Sequence, residues 1–319
     1  MAVSVSDVDG RLIPAVPVPF RRDAHVHALA MERYAEWMAG QPVGGVAVWA
    51  HTGRGLLLGD DDGARVLSLW RRTLPPGRIL VAAAGARADR RSPSEVLAAV
   101  RSMAGRAADL GADALLVHPP TAFRDSPDRD TLILDYHSAA AEAGLPLIAF
   151  YLYERAGGIS YSRAVLAALL TREEVLGIKM ATLNSVMTFQ DVSRALADVA
   201  PGKLIITGED RFLGYSLMCG ARAALIGMGA ACTDLQAELL RAHRDGDAAR
   251  FLSLSSAVDD LAQHTFIDPM EGYIRRMLWC LAIRGVIPEE ATHDPWGPPP
   301  DPGEFERLRL CLDRLSAWS

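Results

Sequence analysis

Lysine is nearly missing from this chain. Its 33 basic residues include only two lysines, Lys179 and Lys203, so arginine carries almost all of the positive charge. Other absences narrow the function classes. No apolar run approaches the roughly 20 residues of a membrane-spanning helix, and the first residues lack a charged-then-apolar signal pattern. The four cysteines (Cys219, Cys232, Cys280, Cys311) form no CxxC pair and no metal-ligand spacing; a reducing cytoplasm is the expected location. The arginines are dispersed and the net charge is -6, which argues against a basic stripe for nucleic acid.

What is present is apolar and patterned. With 319 residues, 50% of them hydrophobic and 23% charged, the chain can bury a large core as one α/β domain, alone or with a small appendage. Short apolar runs alternate with longer amphipathic ones. The short runs are Leu12 to Pro17, Gly45 to Ala50, Arg78 to Ala84, Ala114 to His118, Leu147 to Tyr151, Val175 to Met180, Leu204 to Thr207 and Ala224 to Ile226. Between them lie helical patterns such as Val26 to Ala39, Pro93 to Leu110, Arg129 to Ala143 and Ser162 to Leu170, several of them preceded by Ser or Asp and followed by Gly. Strands that are apolar throughout, alternating with helices, describe a parallel sheet covered by helices, and this number of units closes a (β/α)8 TIM barrel. An open doubly wound sheet is the alternative. Beyond the last short run only helical patterns follow: Cys232 to Arg244, Ala248 to Gln263, Tyr273 to Arg284 and Phe305 to Trp318. We therefore expect a barrel over residues 1–231 and a C-terminal helical extension over 232–319. Asp294 to Pro300, rich in proline, reads as a rigid connector inside the extension with no part in catalysis.

In such a barrel, chemistry gathers where strands end. Those ends are polar here: His51 and Thr52, His118, Tyr151, Lys179, and Thr207-Gly208-Glu209-Asp210. Lys179 closes the apolar run Val175-Leu176-Gly177-Ile178. An amine desolvated in that position can lose its proton and attack a carbonyl, which a guanidinium cannot do, so a Schiff-base lysine is the sharper reading; a lysine snorkelling to solvent is the plainer one. Strands about 5 Å apart would bring the Tyr151 phenol within reach of a carbon chain on that amine, although Tyr151 also reads as a core tyrosine and Thr52 as a turn or cap residue. Gly227-Met228-Gly229-Ala230 reads as a tight turn or a phosphate cradle, the turn being favoured. Glu209 and Asp210 have no histidine close by in sequence, and we expect neither metal nor cofactor.

These residues, in this order, resemble the dihydrodipicolinate synthase/N-acetylneuraminate lyase family of class I aldolases. Gly10 to Phe20 is similar to the family's opening strand and Thr-Pro-Phe turn, His51-Thr52-Gly53 to its Thr-Thr-Gly loop, Tyr151 to its barrel tyrosine, Gly177-Ile178-Lys179 to its Schiff-base motif and Gly208-Glu209-Asp210 to its Gly-x-Asp loop. The resemblance implies that a 2-keto acid, usually pyruvate, condenses with Lys179. Its carboxylate would lie on the loop of Thr52 and Gly53, with Tyr151 shuttling protons and Arg155, Gly208, Glu209 and Asp210 contacting substrate. It also implies a homo-oligomer, a tetramer or dimer, with Leu132, Ile133 and Leu134 near a contact.

The departures point away from the lysine-pathway synthase. His51 stands where the family places Thr or Ser, and Arg54 where Glu commonly follows the glycine. Thr121 lies near the place of a tyrosine that crosses the subunit interface, and Arg155 falls about one residue short of the carboxylate-binding arginine. His51 is expected either to take over part of the acid/base work, imidazole titrating closest to neutrality, or merely to fill space or bind a substrate oxygen. The resulting expectation is a lyase or aldolase on pyruvate or another 2-keto acid. The alternatives are a dehydratase of a 2-keto-3-deoxy sugar acid and a non-catalytic barrel that binds keto acids.

Overall fold

The computed structural model describes residues 2–89 and 92–315. Its centre is a seven-stranded sheet in sequential order: Gly45–Val48 (β1), Ile79–Ala84 (β2), Ala114–Val117 (β3), Leu147–Leu152 (β4), Val175–Ala181 (β5), Leu204–Thr207 (β6) and Ala223–Ala224 (β7). Every neighbouring pair is parallel. All residues of these strands are buried. Helices cover one side and strand side chains fill the other, so few strand positions carry a polar residue, Lys179 on β5 and Thr207 on β6 among them.

The connecting helices begin where the sequence supplies a cap. Ser92 accepts a hydrogen bond from the Glu95 amide while the Glu95 side chain reaches back to Ser92, opening the helix Pro93–Asp109. Ser162 caps Arg163–Leu170 and Ser185 caps Val186–Val199; each satisfies an amide that the first helical turn leaves unpaired.

The expected first strand, Leu12 to Pro17, is not a regular strand but touches both edges of the sheet. Ile13 and Ala15 donate their amides to Ala224 and Ile226 (2.8 and 2.9 Å), while Gly44 and Ala47 donate to the carbonyls of Leu12 and Pro14 (both 2.8 Å). The bridges Leu12 to Ala224 and Ala15 to Ala47 are parallel. Pro14 and Pro17 have no amide to give, which interrupts a continuous ladder.

The C-terminal helices are Thr233–Arg244, Ala248–Thr265, Tyr273–Ile283 and Glu304–Leu315. The expected end at Trp318 lies outside the described residues. No helix among the described residues is long and apolar enough to cross a membrane. All four cysteines are free.

A buried ion pair ties these helices together. Arg276, 1% exposed, donates from Nε to Glu304 Oε1 (2.8 Å) and from Nη1 to the carbonyls of Thr265 and Ile267 (3.0 and 2.9 Å). Arg276→Met would strand the Glu304 carboxylate, itself 5% exposed, and is expected to destabilise the fold by about 3–5 kcal/mol. Urea unfolding measures this. A loss below about 1 kcal/mol would mean that the pair is not what anchors the extension.

Candidate active site

Lys179 sits near the end of β5, in register with Phe150 on β4 and Ile206 on β6. Residues paired across parallel strands face the same side, so these three side chains share one. The lysine is 6% exposed, and its Nζ lies 4.3 Å from the centroid of the Phe150 ring. Burial lowers the amine to about 8, partly opposed by the negative charges of Asp210 and Glu209. Gly208 makes room for the lysine stem, because a Cβ there would stand 2.7 Å from Lys179 Cε and 2.8 Å from the Met180 carbonyl oxygen.

The amine opens into a narrow cavity of about 30 Å³. Opposite lies a pair of hydroxyls: Thr52 Oγ1 is 2.9 Å from Tyr273 OH, and both residues line the cavity. Tyr273 opens a C-terminal helix and stacks on Phe266 at 4.6 Å. Burial holds its phenol well above the ordinary range, so it stays protonated and able to donate. Gly227 leaves the space this needs, since a Cβ there would lie 3.0 Å from the Tyr273 ring and 3.3 Å from Thr52 Oγ1.

The structure places the expected residues unevenly. Tyr151 is turned away. It pairs with Met180, packs edge-on against Tyr161 at 5.8 Å and does not line the lysine cavity. Phe150 holds the position beside the amine instead. β4 runs one residue further than expected, to Leu152, its register slips between Leu147 and Ile148, and a one-residue step sends a strand side chain to the opposite face. Arg155 lies exposed on the short turn Glu154–Ala156 and is not among the cavity residues. The Gly53 amide already donates to the Ala50 carbonyl (3.0 Å), which removes it as a donor to a carboxylate.

The acidic pair is likewise engaged. Glu209 accepts from the Thr182 amide (2.6 Å), the Thr182 hydroxyl (2.9 Å) and the Leu183 amide (2.8 Å), and burial raises its carboxyl to about 7. Asp210 lines the cavity and accepts from the Met228 amide (2.8 Å); burial raises it to about 7 as well. That bond occupies an amide of the Gly227 to Ala230 segment, which favours the tight-turn reading over a phosphate cradle. Asp260, His264 and Cys311 come within 4.8 Å of one another, but Arg314 stands 3.3 Å from Asp260 and already supplies positive charge there.

The loop after β1 is held from the far end of the chain. His51 Nε2 lies 2.8 Å from Glu271 Oε1. Arg54, 6% exposed, donates to Glu271 Oε2 (2.6 Å) and to both oxygens of Asp294 (3.3 and 2.7 Å). Its φ of 52° is a left-handed conformation that a non-glycine residue adopts only when its surroundings impose it. Asp294, read as part of an inert connector, thus fixes the loop that carries His51 and Thr52. Tyr273, Glu271 and Asp294 were missed in the sequence. The only signal for Tyr273 and Glu271 was their place at the start of an apolar helical pattern, which does not say what that helix packs against.

Comparisons with known proteins agree with this architecture. Residues 9–303 match the model of the dihydrodipicolinate synthetase family. The chain is 25% identical over 254 residues to 4-hydroxy-tetrahydrodipicolinate synthase of Acidiphilium cryptum, covering 80% of this chain and 82% of that one. Among solved structures it resembles YagE of E. coli K12, a prophage protein determined in complex with pyruvate (TM-score 0.80, 20% identity, 96% and 98% of the two chains). It also resembles the sialic acid aldolase of Ruminococcus gnavus (TM-score 0.82, 16% identity, 98% and 99%).

Proposed function

Because the chain belongs to the dihydrodipicolinate synthetase family, we propose that it is a class I aldolase-type lyase acting on pyruvate or another 2-keto acid through an imine on Lys179. The observation that carries this is the buried Lys179 amine, lowered to about 8 and opening into a cavity lined by paired hydroxyls. At pH 7 roughly a tenth of such amines are unprotonated. The neutral amine attacks the keto carbon, the carbonyl oxygen takes up protons and leaves as water, and the iminium that forms withdraws electrons from the carbon–carbon bond made or broken. The Phe150 ring under Nζ stabilises that cation. Thr52 receives the keto acid's carboxylate, and Tyr273, hydrogen-bonded to it, exchanges the proton that the family draws from its barrel tyrosine.

Incubation with pyruvate and borohydride followed by intact-mass measurement tests the assignment: a reduced adduct on Lys179 supports it, and tight pyruvate binding without an adduct overturns it. The non-catalytic barrel stays as a second reading because Phe150 stands where a phenol is expected.

His51 lines the lysine cavity and, with Nε2 donating to Glu271, has its other nitrogen free to accept. A share of the proton transfer by His51 predicts that His51→Thr lowers the rate by up to about 10²-fold and shifts the acid limb of the pH–rate profile. Overlaid limbs with equal maximal rates would show that His51 carries no proton.

The segment 12–17 is proposed as the eighth stave closing a (β/α)8 barrel over residues 1–231, with 232–319 as the helical extension; its hydrogen bonds to both β1 and β7 support this. A homo-oligomer in the cytoplasm completes the proposal. Ile133 cannot supply its contact, being fully buried within its own chain.

A further inference from the structure

We propose that a second chamber, at the mouth of the lysine cavity, binds the apolar tail of an aldehyde, so that the enzyme joins a 2-keto acid to an aliphatic or aromatic aldehyde, or releases one. This rests on the imine reading above. The chamber measures about 450 Å³, within the range of small-ligand pockets. It adjoins the lysine cavity, with which it shares His51, Leu152 and Ala156 as lining residues.

Its walls are mainly aliphatic: Leu56, Leu57, Ala86, Pro119, Leu152 and Ala156. Leu57 is 46% exposed, a large apolar side chain standing open at the rim. The polar residues of the lining are His51, Arg54, Arg87, Asp89, His118 and Thr121, and at least four of them are already engaged by the protein. Arg54 is held by Asp294 and Glu271, and His51 by Glu271. Arg87 donates to the Leu58 carbonyl and pairs with Asp60 at 3.7 Å. His118 faces the Trp49 carbonyl at 3.1 Å and, lowered to about 4 by burial, is neutral. A polyhydroxylated aldehyde would find partners for few of its hydroxyls here, Thr121 and Asp89 being set in a mainly aliphatic wall, and desolvated unpaired hydroxyls bind poorly. An apolar tail loses nothing and removes aliphatic surface from water.

The chemistry balances without a further reagent. Loss of a proton from the iminium's methyl carbon gives an enamine, whose carbon attacks the aldehyde carbon. The aldehyde oxygen takes a proton as the new bond forms, and water then releases a 4-hydroxy-2-keto acid and the free amine.

The test supplies pyruvate with benzaldehyde, erythrose or succinic semialdehyde, and compares the wild-type chain with Leu57→Asp, a substitution at an exposed position. Benzaldehyde is expected to be used with a kcat/KM at least about tenfold above the other two. Leu57→Asp is expected to raise KM for benzaldehyde about tenfold while leaving the borohydride-trapped pyruvate adduct unchanged. An adduct accompanied by preference for erythrose or succinic semialdehyde, by turnover of no aldehyde, or by indifference to Leu57→Asp overturns the chamber assignment alone. Absence of the adduct overturns the imine reading and this inference with it.

Discussion

Borohydride in the presence of pyruvate is expected to add mass to the wild-type chain and none to Lys179→Arg. Guanidinium keeps the positive charge but stays protonated and does not attack a carbonyl, so activity should fall by at least about 10³-fold, with circular dichroism confirming the fold. The composition supplies an internal control, because only one other lysine exists. Lys203 donates its ammonium protons to the carbonyls of Arg172 (2.8 Å), Glu173 (3.3 Å) and Val175 (2.5 Å), an arrangement that engages all three N–H bonds and holds the nitrogen against the backbone. An adduct on Lys203, or one surviving in Lys179→Arg, would overturn the assignment. The pH dependence has a definite sign. Burial lowers the Lys179 amine to about 8, so the rate of adduct formation should climb as pH rises towards 8 and level off above it. A midpoint near the value of an exposed lysine, about 10.4, would show that the amine is not desolvated.

Tyr273→Phe is expected to lower kcat by about 10²- to 10⁴-fold, whereas Tyr151→Phe should stay within about twofold of wild type. Phenylalanine keeps the stack on Phe266 and removes only the hydroxyl facing Thr52, at a stability cost of about 1–3 kcal/mol. If Tyr273 moves the proton, the effect falls on kcat and on the pH profile while pyruvate still forms its imine. If it merely orients Thr52 for the carboxylate, KM for pyruvate rises and kcat is kept. A large loss in Tyr151→Phe with an active Tyr273→Phe would return the role to Tyr151, against the direction its side chain takes in β4.

The fold was largely legible because its signals are local. The strands are mainly apolar runs, and several helices carry a 3.6-residue period with caps such as Ser92 and Ser162. Lys179 stood out for the same kind of reason: a lysine near the end of a buried run, in a chain with only one other lysine, reads as an amine that can lose its proton. The phenol was legible only as a residue type. Tyr151 and Phe150 are adjacent, and which of them faces the lysine depends on where the register of β4 slips, a matter of pairing with β5 rather than of its own sequence.

By itself, then, the sequence determined the order of strands and helices, the lysine near the end of β5 and the loop after β1. Tertiary structure alone decided the company those groups keep. Tyr273 reaches Thr52 across 221 positions and Asp294 reaches Arg54 across 240. Nothing in the local pattern specifies such a contact, because it exists only once the parallel sheet brings its strand ends together under the C-terminal helices. The physical reason is range: periodicity and capping act within one or two helical turns, whereas the desolvation that lowers the Lys179 amine, and the hydrogen bonds that engage Glu209 and Asp210, come from segments that meet only when the core is buried.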